Sequence, residues 1–271
     1  MLIKKKLIKK KHIKGIYLLP NLFTTGALFG GFYAVIAAMN GAFESASMAV
    51  FIAMILDGLD GRVARMTNTE SDFGAEYDSL SDMVSFGVAP ALVMYSWVLS
   101  SMGKIGWLAA FIYCVGAALR LARFNTSSGS EDKRFFSGLA SPAAAGIVVG
   151  FVWICVDNQI AAESVKWLAL LITIGSGILM VSNILYRSFK DLNLKDKVPF
   201  VALLIMVLIF ISIVLQPPFI LFAVFSLYGL SGLVIYLWRL LFKKKNQPQE
   251  TVSNTDSKPS MDQHKSENLD E

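Results

Sequence analysis

The chain has 271 residues, 55% of them hydrophobic and only 17% charged, and its mean hydropathy is positive. That balance excludes an ordinary soluble domain and identifies an integral membrane protein. The formal net charge is +5, from 25 Lys and Arg against 20 Asp and Glu; no nucleic-acid partner is expected.

The first 17 residues form a basic segment in which "KKKLIKKKHIK" carries seven Lys. The apolar run behind it is too long for a cleaved signal peptide and has no small-residue cleavage site, so a retained first span with a basic anchor is expected. A hydrocarbon core of about 30 Å needs about 20 helical residues per crossing. Eight runs answer to this, near residues 18–39, 44–61, 80–101, 105–124, 139–157, 165–186, 198–216 and 218–241. The fold class is therefore an all-α polytopic membrane protein, with a membrane domain over residues 18–241.

Basic residues near helix ends mark the cytoplasmic side. Arg62 and Arg65 follow the second run, Arg120, Arg123, Lys133 and Arg134 flank the fourth-to-fifth connection, and Arg187, Lys190, Lys195 and Lys197 follow the sixth. Six more lie at or after the last run, so 23 of the 25 share one side, with only Lys104 and Lys166 opposite. Both termini are thus expected in the cytoplasm, and the basic ends also suit anionic lipid headgroups. Residues 242–271 form a polar tail that cannot bury a core and is expected to be disordered. Cys114 and Cys155 lie in separate spans and are expected to pack as small hydrophobes.

The chemistry concentrates between the second and third runs, in "DGLDGRVARMTNTESDFGAEYDSLSD" from Asp57 to Asp82. Charged groups at this depth are costly and point to function. Asp57 and Asp60 are three apart and Asp78 and Asp82 four apart, so each pair occupies one face of its helix. Two antiparallel helices bring the pairs together. Four converging carboxylates repel one another unless hard divalent cations neutralise them. Oxygen-only ligands suit Mg²⁺ or Mn²⁺, and a pair of ions is the usual arrangement for phosphoryl displacement. The small residues Gly58, Gly61, Ala64 and Gly74 let a ligand approach the backbone, or serve close helix packing. Arg65 offers a forked donor for phosphate, whereas Arg62 also reads as a topology anchor.

The fixed positions Asp57, Asp60, Gly61, Ala64, Arg65, Gly74, Asp78 and Asp82, at these spacings, match the signature of the CDP-alcohol phosphotransferases, and the chain resembles that family. The resemblance implies a core of six membrane helices, here followed by two more, often as a homodimer and with a polar cavity open to the cytoplasm. It also implies transfer of a phosphatidyl or similar group from a CDP-linked donor to an alcohol, releasing CMP. By the same resemblance Asp57, Asp60 and Asp78 are metal ligands and Asp82 is a ligand or near-ligand acting as general base. Gly61, Ala64, Arg65 and Gly74 fall at positions that contact the CDP moiety.

Four further stretches, "PNLFTTGALFGGFYA", "EYDSLSDMVSFGVAPA", "ALRLARFN" and "FSGLASPAAAG", resemble the bacterial and archaeal integral-membrane phosphatidylserine synthases. That likeness implies CDP-diacylglycerol as donor and L-serine as acceptor. Arg120 and Arg123, three apart, are placed to hold the serine carboxylate or a donor phosphate, or to anchor the helix at the cytoplasmic surface. Asn21 is placed to donate to a phosphate or to cap its helix after Pro20. Ser79, Ser81 and Ser85 border the Asp pair and can bond helix backbone instead of ligand. The alternative acceptor is glycerol 3-phosphate, for which Lys133 and Arg134 would supply charge. A phospho-His mechanism is excluded, because Leu19 stands where the H-x-K-x-x-x-x-D motif begun by His12 and Lys14 requires Asp. A cation transporter is the competing class, but the other spans carry almost no charge to continue a path.

Overall fold

The computed structural model describes residues 18–126, 135–187 and 200–243. The basic N-terminal segment, Lys133 and Arg134, the basic residues Lys190, Lys195 and Lys197 and the tail beyond Lys243 lie outside the described residues.

Helix α1 runs from Leu18 to Met39 and α2 from Phe43 to Thr67. Helix α3 (Asp72–Asp82) passes through a six-residue π-helical stretch (Met83–Val88) into α4 (Ala89–Trp97). Helix α5 (Lys104–Thr126) leads to a short strand β1 (Phe135–Ser137), then α6 (Ser141–Asp157), α7 (Ala162–Val181) and strand β2 (Leu185–Arg187). Helices α8 (Phe200–Leu215) and α9 (Pro217–Lys243) complete the described chain. Taking α3 to α4 as one rod, the rods fall where the eight apolar runs predict them. The two strands pair antiparallel, with Phe136 opposite Tyr186, and are the departure from an all-helical fold.

Three boundaries differ most from those expected, the largest being the start of the third rod, which Ser71 caps at Asp72 rather than near residue 80. Helix α7 stops at Val181 because Ser182 turns extended (ψ 158°), although the apolar sequence continues through Ile184 and Tyr186. Helix α2 extends beyond residue 61 to Thr67, carrying Arg62 and Arg65 on the same rod as the carboxylates. Among the described residues four helices, α1, α5, α7 and α9, are long and apolar enough to cross a membrane on those grounds alone. Helix α2 falls short through its charges, α4 through its nine residues, and α6 and α8 through lengths of 17 and 16 residues.

Helices meet through small residues, as they do where lipid removes the hydrophobic drive between them. The shared interior is rich in alanine, including Ala27, Ala34, Ala46, Ala53, Ala117 and Ala144, whereas Phe29, Phe32, Ile52, Phe111, Leu171 and Trp238 face outward. Two contacts depend on a missing side chain. A Cβ at Gly116 of α5 would lie 2.5 Å from the Gly177 carbonyl oxygen of α7, and one at Gly31 of α1 would lie 2.6 Å from Ser85 Cα. Gly31→Leu is therefore expected to destabilise the protein by about 1–3 kcal/mol or more. A clearly lower melting temperature in detergent would bear this out, and an unchanged one would contradict the close approach.

Pro90 has no N–H, which frees the carbonyl of Phe86 one turn earlier. The fully buried Tyr113 of α5 donates its hydroxyl to that oxygen at 2.9 Å, so this acceptor is satisfied. The Ser85 and Ser81 hydroxyls donate to α1 carbonyls at Ala27 (2.9 Å) and Thr24 (3.1 Å), locking the rod that carries Asp78 and Asp82 to α1. Both serines thus bond helix backbone.

Candidate active site

The site is built at the end of the bundle where α2 closes and α3 begins. Asn68 adopts the left-handed conformation (φ 53°) that Asn tolerates, and Thr69 N–H bonds back to the Ala64 carbonyl at 3.0 Å. Ser71 then caps α3, accepting from Gly74 N–H at 3.1 Å. This tight reversal sets the two carboxylate-bearing helix ends side by side.

Asp57, Asp60 and Asp78 each offer one carboxylate oxygen, and the three lie within 4.8 Å of one another. Asp60 is 5% exposed and accepts from the Thr24 hydroxyl at 2.8 Å, a bond that ties it to α1. Asp78 Oδ1 is buried without a hydrogen-bond partner among the described residues. An orphan carboxylate oxygen in a cluster of acids is costly as it stands and well suited to a hard cation. Asp82 stands one turn further in, beside Asp57 and Asp78 and within electrostatic reach of the Arg120 guanidinium. The donor set is entirely oxygen, as Mg²⁺ or Mn²⁺ requires.

The remaining predicted residues surround this cluster. The space in front of Gly58 is open among the described residues, and at Gly61 only the Arg65 guanidinium approaches, 3.8 Å from a Cβ placed there. Arg65 is exposed and folds back over its own helix; Ala64 is half-buried. Asn21 lies within α1 rather than at its cap, so the capping alternative is set aside. Its Oδ1 lies 3.6 Å from a Cβ built at Gly74, which brings the two to the same rim. Thr25 and Tyr77 share a hydrogen bond of 2.9 Å beside them.

Arg120 and Arg123 separate in role. Arg120 Nη1 donates to the fully buried Ser141 hydroxyl at 2.7 Å, and its charge acts on Asp82 and Asp57. Arg123 reaches the end of α7, donating to the carbonyls of Val181 (3.0 Å) and Ser182 (3.5 Å) and to Asn183 Oδ1 (3.2 Å). Ser79 and Asn125 bond reciprocally at 3.0 and 3.2 Å, joining α3 to α5. Thr24 and Ser141 are members that spacing alone does not single out. Their signal is indirect: a buried carboxylate and a buried guanidinium each need a partner.

The sequence model describing CDP-alcohol phosphatidyltransferases matches residues 17–182, which span α1 to α7 and hold every residue of this site described above except Asn183. The chain belongs to the CDP-alcohol phosphatidyltransferase family. It is 41% identical over 238 residues to a CDP-diacylglycerol–serine O-phosphatidyltransferase of Helicobacter pylori, covering 86% of this chain and 98% of that protein. It is 33% identical over 175 residues to the protein of that name from Bacillus subtilis, covering 64% and 91%. With the one from Methanocaldococcus jannaschii the identity is 44% over 142 residues, 52% of this chain and 63% of that one. Within the CDP-alcohol phosphatidyltransferases dependence on a divalent metal is general, and the Asp57, Asp60 and Asp78 cluster is where this member could bind one.

Proposed function

We propose that this membrane protein transfers a phosphatidyl group from CDP-diacylglycerol to the hydroxyl of L-serine, giving phosphatidylserine and CMP. The observation that carries the reaction class is the convergence of the Asp57, Asp60 and Asp78 oxygens within 4.8 Å on family-matched helices. The acceptor follows from similarity that spans 86% of the chain.

Asp57, Asp60 and Asp78, with Asp82 beside them, would hold two Mg²⁺ or Mn²⁺ ions. Such ions neutralise the diphosphate and the charge that develops on the departing CMP. Gly61, Ala64 and Gly74 give the CDP moiety a close approach to backbone, and Arg65 and Asn21 supply donors at the rim. Asp82 accepts the proton of the serine hydroxyl, the oxygen attacks the phosphorus bonded to diacylglycerol, and the bond to CMP breaks. Arg120 faces Asp82 and holds the serine carboxylate. Arg123, bonded to the end of α7, has its larger part in fixing the end of α5. Eight membrane crossings with both termini and the site on the cytoplasmic side, over residues 18–241, account for the one-sided basic residues. A homodimer is what the family resemblance implies.

The reading is tested by following CMP release from CDP-diacylglycerol and L-serine in detergent or lipid. EDTA is expected to abolish release, and added Mg²⁺ or Mn²⁺ to restore it. Release that persists undiminished in EDTA would overturn the metal assignment.

A further inference from the structure

The segment matched by the family stops at residue 182, yet the support of Arg120 runs beyond it. Arg120 is held by Ser141, the first residue of α6. The chain enters α6 from β1 through Gly138, whose N–H donates to the Ile184 carbonyl at 2.9 Å, and Leu139, whose N–H donates to the Leu179 carbonyl at 3.0 Å. Gly138 needs its positive φ (85°) to make this corner. The position of Ser141 is therefore set by the β1–β2 ribbon, where Phe136 pairs with Tyr186.

Tyr186 is the ribbon's anchor. It is 1% exposed, and its hydroxyl donates to the Gly229 carbonyl of α9 at 3.1 Å. Its ring fills a notch that exists only because residue 232 is glycine, since a Cβ there would collide with the ring. The same ring lies 5.5 Å from that of Tyr228, tilted by 44°. A buried phenol retains a single partner of this kind at the cost of a stranded hydroxyl should it be lost, so the latch is specific in both register and direction.

We infer that Tyr186 is a positioning residue for the acceptor: latched to α9, it fixes the ribbon and Ser141, and through them the place of the Arg120 guanidinium. Recognition of a carboxylate by Arg depends on the placement of its planar fork, and small displacements are felt in the bound geometry. Helix α9 thereby becomes part of the acceptor site without touching the reacting atoms. Tyr228, also on α9, lies within electrostatic reach of Arg120. The inference rests on the reading that Arg120 holds the serine carboxylate.

The test is steady-state CMP release by the full chain, with Tyr186→Phe, Arg120→Lys and the double variant compared at saturating CDP-diacylglycerol. Tyr186→Phe keeps the ring and removes the bond to Gly229. It is expected to raise the KM for L-serine about five- to tenfold while kcat and the KM for CDP-diacylglycerol stay within about twofold. In the Arg120→Lys background the same change is expected to have little further effect, because both act on one interaction. A serine KM unaltered by Tyr186→Phe, or effects that multiply in the double variant, would overturn the latch. An unaltered serine KM in Arg120→Lys would instead overturn the role of Arg120, and the latch with it.

Discussion

Asp82→Asn is expected to bind CDP-diacylglycerol with nearly unchanged affinity and to turn it over about 10²–10⁴-fold more slowly, the range that a positioned proton acceptor contributes. The substitution conserves shape, and Asp82 lies outside the set of three whose oxygens converge within 4.8 Å. Its carboxylate lies beside Asp57 and within electrostatic reach of Arg120, the residue proposed to hold the serine carboxylate. An amide there can still hydrogen-bond but cannot accept a proton. Donor binding by equilibrium titration and CMP release by rapid quench separate the two effects. A variant that keeps a near-normal rate would remove Asp82 from the base role, and one that no longer binds donor would make it principally a ligand.

Asp78→Asn is expected to cost about 10³-fold or more in activity, because loss of a metal-bound carboxylate forfeits several kcal/mol of transition-state charge stabilisation. The stability effect runs the other way. Without metal, Asp78 is an acid with a buried, unpartnered oxygen among other acids, so its neutralisation relieves repulsion. The metal-free variant is therefore expected to melt at or above the metal-free wild type. Mn²⁺, which stabilises what it binds, should raise the wild-type melting temperature and leave the variant nearly unmoved. A variant still stabilised by Mn²⁺ to the wild-type extent would place the ion elsewhere.

The carboxylates were legible in the sequence because spacings of three and four put each pair on a helix face; the turn at Asn68 and the Ser71 cap that join those helices emerge only in the structure. Apolar length located the rods for the same elementary reason. What spacing missed is tertiary. Thr24 sits one turn from Asn21 in an unexceptional run, and its bond to Asp60 exists only once α1 lies against α2. Ser141 becomes the partner of Arg120 only through the ribbon. Hydropathy registers no hydrogen-bond pattern, so the third run read as one span without its π-helical stretch, through which the rod continues unbroken. Arg120 and Arg123 looked alike from spacing; the α7 carbonyls that engage Arg123 distinguish them.

The most direct measurement gives the purified protein CDP-diacylglycerol and Mn²⁺ or Mg²⁺, adds labelled L-serine, glycerol 3-phosphate or inositol phosphate separately, and follows both CMP and label in extracted lipid. Stoichiometric CMP and lipid-borne label are expected with serine alone, both lost in EDTA. Label entering lipid from another acceptor and not from serine, by folded protein, would contradict the assignment of the acceptor; no CMP with any of them would contradict the transferase itself.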